Sequence, residues 1–193
     1  MNREQLLHAI RAAAHLVQLD SVIVIGSQSI LGTWDENELP DVVVMSHEVD
    51  ILPLSGQDTA LLADRLAELG EMSRFDQTFG YHIDGVDETT AVLPDGWQNR
   101  LVPVGSYSVA MGKEVTGLCL EPHDLCVAKI IAFREKDRGF VSALVTAQLL
   151  DLEVLLERLT QTMPPDGRNL DYAYAWVLDA ITGRDSGPGR PKG

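Results

Sequence analysis

Two carboxylates stand one residue apart inside an apolar stretch of the chain. Glu48 and Asp50 flank Val49 and are followed by Ile51. In a β-strand successive side chains point to opposite faces, so the two acids would share one face. Acids held this close raise each other's pKa unless a cation lies between them. The spacing therefore favours a divalent-metal site, and the alternative is a solvated face at the edge of a sheet.

A second signal lies upstream of the acids. Residues 22–25 form the apolar run Val-Ile-Val-Ile, which ends in Gly26 and Ser27. Such a run is typical of a buried strand. A glycine lets the backbone approach a phosphate, and a helix that starts after it would point N–H groups at the anion. The turn is thus a candidate phosphate site, whereas a dinucleotide-binding domain is disfavoured because no Gly-x-Gly-x-x-Gly pattern follows.

Hydrophobic periodicity outlines the elements that must position these residues. It predicts a strand through the two acids and further strands over 22–25, 80–83, 90–93, 100–104 and 115–120. Helices are predicted over 3–18, 56–70, 122–134, 141–150, 151–161 and 169–181. The fold class is therefore α/β (α+β), with a mixed β-sheet core flanked by helices over 1–120 and a helical C-terminal part over 121–183 packed on it. Residues 184–193 lack core residues and are predicted to be a disordered tail.

Composition limits the class of protein. The chain has 193 residues, 45% of them hydrophobic, and a net charge of −14. This acidity argues against a large nucleic-acid footprint, although Arg134, Lys136 and Arg138 could line a small basic cleft. With only Cys119 and Cys126, no membrane-spanning run and no signal peptide, the expected location is the cytoplasm, with no membrane partner.

Longer motifs resemble those of small bacterial nucleotidyltransferases. Residues 121–137, EPHDLCVAKIIAFREKD, are similar to an Asp-Leu-x-x-x-Lys-x-x-Ala…Lys-Asp signature, and residues 93–102, LPDGWQNRLV, are similar to a second motif. Together with the Gly-Ser turn and the paired acids they resemble the AbiEii and MenT toxin-type nucleotidyltransferases and a related uncharacterised family. The resemblance covers roughly residues 20–145 and implies a nucleotidyltransferase-like fold.

The resemblance also implies roles for individual residues. Glu48, Asp50 and Lys129 would be catalytic, with Glu48, Asp50 and Asp84 as ligands of Mg²⁺ or Mn²⁺. The residues that it implies for nucleotide binding are Gly26, Ser27, Ser46, Lys129, Lys136 and Asp137. Two positions depart from the pattern, because Glu48 stands where Asp is usual and Phe140 where related toxins often have Asp.

Several of these residues also have purely structural interpretations. Lys129 could be a surface lysine or lie at the rim of a cleft. The segment 134–138 could be a solvated, salt-bridged helix end. His8, His15, His82 and His123 show no ligand spacing, and His47 would face away from the two acids.

The expected function is a metal-dependent transfer of a nucleoside monophosphate from a nucleoside triphosphate. The acceptor would be an RNA, such as a tRNA 3′ end, or a protein. The resemblance further implies a toxin that pairs with an antitoxin protein. The alternative is a catalytically inactive binding or regulatory protein that keeps the nucleotidyltransferase fold.

Overall fold

A computed structural model describes residues 1–53, 58–163 and 169–183. Its centre is a five-stranded mixed sheet with the strand order β3-β2-β1-β5-β4. The strands are β1 (Ser21–Val24), β2 (Glu48–Leu52), β3 (His82–Gly85), β4 (Val102–Ser108) and β5 (Lys113–Cys119). β1 runs parallel to β5 and antiparallel to β2, and β2 runs parallel to β3. The mixed α/β architecture predicted from the sequence is confirmed.

One face of the sheet is covered by α1 (Arg3–Val17) and α2 (Thr59–Leu66). Both helices approach the sheet at glycines. A Cβ at Gly117 would lie 2.8 Å from Cγ1 of Ile10, and one at Gly85 would lie 2.7 Å from the carbonyl carbon of Ala63. α1 begins at a capping box, in which Asn2 and Gln5 satisfy each other's backbone N–H groups. Its buried stripe of aliphatic side chains then closes this side of the core.

The helical C-terminal part consists of α4 (Pro122–Ala132), α5 (Glu135–Thr146), α6 (Leu152–Thr160) and α7 (Leu170–Ile181). α4 begins with Pro122 and is capped by the Glu121 carboxylate, which accepts hydrogen bonds from the backbone of His123 and Asp124. It ends at Phe133, whose φ of 55° is left-handed and turns the chain into α5. No helix in the described ranges is long and apolar enough to cross a membrane.

Three local predictions differ from the structure. No strand forms over 90–93, and Ala91 and Val92 line a cleft instead. A short helix, α3 (Arg74–Phe79), occupies a segment for which the periodicity predicts no helix. It is held by Phe75 and Phe79, one turn apart, which pack with the rings of His8 and Tyr81. α5 begins at Glu135, six residues earlier than predicted, so residues 135–138 form a helix start rather than a helix end. Residues 54–57, 164–168 and the predicted tail 184–193 lie outside the described residues.

Candidate active site

The two acids of β2 lie beside two potential ligands of β3. The parallel register pairs Glu48 with His82 and Asp50 with Asp84. Side chains in register on parallel neighbours point to the same face, so all four project from the face opposite α1 and α2. The ligand atoms of Glu48, His82 and Asp84 all lie within 4.8 Å of one another. The structure thus brings Asp84 next to the paired acids, and its role as a metal ligand remains a prediction.

Burial and mutual repulsion raise the pKa values of two of these acids. For Asp50, burial is the largest cause, and the charge of Asp84 adds to it while Glu48 and Lys129 oppose it. For Asp84, burial again comes first, followed by a hydrogen bond and charge repulsion from Glu48. A divalent cation among these oxygens would favour their charged forms. The donor set is rich in carboxylate oxygen and therefore fits Mg²⁺ or Mn²⁺.

The structure explains why position 26 is a glycine, which the sequence alone did not reveal. A Cβ at this position would lie 2.5 Å from Cγ and 2.9 Å from Cβ of Asp50. The Asp50 backbone also accepts a hydrogen bond from the N–H of Ile25 at 3.1 Å. The glycine therefore makes room for the Asp50 carboxylate against the end of β1, and its use in approaching a phosphate remains a prediction.

Lys129 is buried in the cleft wall rather than exposed at a rim. Its Nζ donates to Oγ of Ser27 at 2.8 Å and to Oδ1 of Asp137 at 3.4 Å. The same ammonium lies 4.4 Å from the centroid of the Phe140 ring. Burial lowers the pKa of Lys129, and the charge of Asp137 acts against that shift. The Phe140 ring thus makes a cation–π contact with the ammonium. Related toxins often have a carboxylate at this position.

Asp137 is the carboxylate that neutralises this corner of the cleft. It is 1% exposed and also accepts a hydrogen bond from Nε of Arg134 at 2.5 Å. The segment 134–138 is therefore not simply a solvated helix end, because one of its acids is buried against Lys129. The turn at Phe133 makes this contact, since it brings the first turn of α5 back over the last turn of α4.

Replacing Asp137 by Asn is expected to destabilise the fold by about 3–5 kcal/mol, because it leaves the Lys129 ammonium buried without its counter-charge. Urea unfolding followed by circular dichroism measures the effect. The double variant Lys129→Met/Asp137→Leu is the control, since removing both charges should restore most of the loss. An unchanged unfolding midpoint for Asp137→Asn would show that the pair does not carry this energy.

Ser46 lies two residues before β2 and is held by hydrogen bonds with the Glu48 backbone and with Gln28. Its Oγ accepts from the N–H of Glu48 at 3.3 Å, and its carbonyl oxygen accepts from Nε2 of Gln28 at 3.0 Å. Gln28 is fully buried. Sequence reasoning did not single out Gln28, which follows the Gly-Ser turn between the apolar residues 22–25 and 30–31. These contacts hold the strand that carries the two acids.

The cleft that these residues line has a volume of about 1110 Å³, large enough for a nucleotide-sized ligand. Eight of the nine predicted site residues line it, namely Gly26, Ser27, Ser46, Glu48, Asp50, Lys129, Lys136 and Asp137. Asp84, the ninth, does not line the cleft but is the cross-strand neighbour of Asp50 on β3. Arg134, which could form a small basic cleft with Lys136 according to the sequence, also lines it, whereas Arg138 does not. Val42, Met45, Val92 and Phe140 add an apolar wall.

Asp124, in the Asp-Leu part of the motif, supports the fold outside the cleft. It is fully buried and accepts hydrogen bonds from Nε and Nη2 of Arg100 at 2.8 and 3.1 Å. Nε of Arg158, on α6, lies 3.5 Å from Oδ1 of Asp124, the oxygen that also accepts from Nη2 of Arg100. Burial raises the pKa of Asp124, and Arg100 opposes that shift. Asp124 and Arg100 therefore join the two sequence motifs through a buried ion pair.

Comparison with known proteins yields one family. A family model described as "Nucleotidyltransferase of unknown function (DUF6036)" matches residues 4–176, which is most of the chain and includes every residue of the cluster and the cleft described above. No curated protein and no solved structure matches the chain.

Proposed function

Because the chain belongs to the DUF6036 family of nucleotidyltransferases of unknown function, we propose that it transfers a nucleoside monophosphate from a nucleoside triphosphate to a hydroxyl of an RNA or protein. The observation that carries this proposal is the meeting of a carboxylate cluster with a buried lysine. Glu48, Asp50 and Lys129 line one cleft, and Asp84 adjoins the two acids. The acids suit a divalent cation, and the lysine suits a phosphate.

Each part of the cleft has a distinct role in this proposal. The Ser27 hydroxyl and the Lys129 ammonium hold phosphate oxygens, and Asp137 keeps the lysine oriented towards Ser27. Lys136 and Arg134 extend the positive charge along the cleft. The apolar wall of Val42, Met45, Val92 and Phe140 shelters the base.

Glu48, Asp50 and Asp84 would hold Mg²⁺ or Mn²⁺, which supplies charge neutralisation at the phosphates and activation of the attacking oxygen. In the transfer, the acceptor oxygen forms a bond to the α-phosphorus, and the bond from the α-phosphorus to the bridging oxygen of the β-phosphate breaks. Pyrophosphate leaves, and the hydroxyl proton is released. The chain's residues contribute mainly by position and charge, since phosphoryl-type transfer requires little covalent work from the protein.

The acceptor class is tested with α-labelled nucleoside triphosphates, a divalent metal and either total RNA or a protein extract. We expect label in the macromolecular fraction, and its sensitivity to nuclease or to protease identifies the acceptor. No labelled macromolecule from either mixture, with any of the four nucleotides, would contradict the proposal and favour the inactive binding protein. The three carboxylates on one sheet face support the active form.

The toxin role is a finer proposal that rests on the resemblance to AbiEii and MenT toxins. It implies that a tRNA 3′ end accepts the nucleotide and that an antitoxin protein restrains the chain. Supplying purified tRNA as the sole acceptor and measuring host growth during expression tests both points. Growth unaffected by the wild-type chain would contradict the toxin role without touching the transferase proposal.

A further inference from the structure

His82 adjoins the carboxylate cluster, although the histidines show no ligand spacing in the sequence. It lies on β3, in register with Glu48 and two residues before Asp84. Residues two apart on a strand share a face, so its ring projects with the acids. One of its ring nitrogens lies within 4.8 Å of ligand atoms of both Glu48 and Asp84.

The ring is also backed by a further carboxylate. Nδ1 of His82 lies 3.7 Å from Oδ1 of Asp76, on the first turn of α3. Asp76 is itself fixed, because its other oxygen accepts from the N–H of Met72 at 3.0 Å. A carboxylate that is hydrogen-bonded to a metal-binding imidazole orients it, and Asp76 lies close to this position, although 3.7 Å is longer than a hydrogen bond. The His82 side chain is 16% exposed, so the ring is not closed off from the solvent.

We propose that His82 is a ligand of the divalent metal and that its nitrogen makes the site prefer a first-row transition ion such as Mn²⁺ over Mg²⁺. This inference rests on the proposed function, since it concerns the metal of the same cleft. Glu48 is the cross-strand neighbour of His82 and lies two residues before Asp50 on β2. It therefore connects the His82 ring to the carboxylates that line the cleft.

The preference follows from the chemistry of the donors. Mg²⁺ binds through carboxylates, phosphates and retained water at near-ideal octahedral geometry, and imidazole is a poor ligand for it. First-row transition ions accept imidazole and carboxylate together. A donor set of one imidazole and two or three carboxylates therefore selects against Mg²⁺, whereas three carboxylates alone would not.

Mn²⁺ itself is the probe, and the readout does not depend on activity. Pulsed electron paramagnetic resonance of the Mn²⁺-loaded protein is expected to show modulation from a directly bound ¹⁴N nucleus. The substitution His82→Asn should abolish that modulation and weaken Mn²⁺ binding at least about tenfold in calorimetry, since even loss of an outer partner costs about that much. Binding of Mg²⁺ should change much less.

His47 provides a matched control one residue from Glu48. Nδ1 of His47 contacts the carbonyl oxygen of Gly80 at 2.9 Å, away from the cluster. His47→Asn should keep the ¹⁴N modulation. Circular dichroism of both variants establishes that they are folded, and the wild-type spectrum alone already tests the nitrogen ligand.

The outcomes separate the two proposals. Mn²⁺ that binds the wild-type chain, is lost in Glu48→Gln, and shows no ¹⁴N modulation would overturn the role of His82 and leave the transferase proposal standing. Mn²⁺ binding that survives Glu48→Gln, or fails in the wild-type chain, would overturn the metal site itself, because Glu48 adjoins both His82 and Asp84.

Discussion

Replacing Asp50 by Asn is expected to reduce nucleotide transfer at least about a thousandfold. Metal charge stabilises the transition state by several kcal/mol, and each ~1.36 kcal/mol is a factor of ten in rate. Asp50 is the acid at the centre of the site, because it packs against Gly26 and is the cross-strand neighbour of Asp84. The charge of Lys129 also acts on it and favours its ionised form. An amide in its place keeps the shape but loses the charge.

The effect is measured as initial rate with saturating metal and nucleotide. Asp64→Asn, an exposed acid on α2, is the matched control and should retain the wild-type rate. Asp50→Asn should also be as stable as the wild type or more stable. Burial and the charge of Asp84 raise the pKa of Asp50, and removing the Asp50 charge relieves its repulsion with Asp84. Transfer within tenfold of wild type would remove Asp50 from the catalytic residues.

Replacing Gly26 by Ala is expected to lower transfer at least about a hundredfold. The added Cβ would overlap the Asp50 carboxylate, so either the side chain or the end of β1 must move. A shift of about 1 Å in a catalytic group typically costs a factor of about a hundred. The overpacking should also cost about 1–3 kcal/mol of stability.

The matched control is Gly105→Ala, on the edge strand β4. A Cβ at Gly105 meets its nearest atom, Oε1 of Glu114, at 3.5 Å, which is an ordinary contact. Metal affinity, measured by calorimetry, should fall in Gly26→Ala and not in Gly105→Ala. Wild-type metal affinity in a folded Gly26→Ala protein would mean that the glycine serves another purpose.

Local patterns predicted the parts of the site that lie within one element. The alternation through Glu48 and Asp50 fixed their common face, because the period of a strand is two residues. The apolar run before Gly26 likewise identified a buried strand. The resemblance to small nucleotidyltransferases then linked these residues to Lys129 and Asp137, which the fold brings to the same cleft.

Contacts between distant segments could not be predicted from the sequence. His82 joins the acids only because β3 pairs with β2 in one particular parallel register. Lys129 is buried because the left-handed turn at Phe133 returns Asp137 to it. α3 was not predicted because its two phenylalanines are too few to form a helical pattern. Tertiary packing of the two phenylalanine rings stabilises this short helix. In each case the missing information was a long-range register or packing contact.

The proposed function requires the cleft to transfer the nucleotidyl group of a nucleoside triphosphate. The most direct measurement compares α-labelled with γ-labelled nucleotide, both incubated with the wild-type chain, Mn²⁺ and the acceptor mixture. We expect the α-label on the acceptor and the γ-label in released pyrophosphate. A γ-label on the acceptor, or γ-label released as inorganic phosphate with no α-label transferred, would contradict a nucleotidyl transfer.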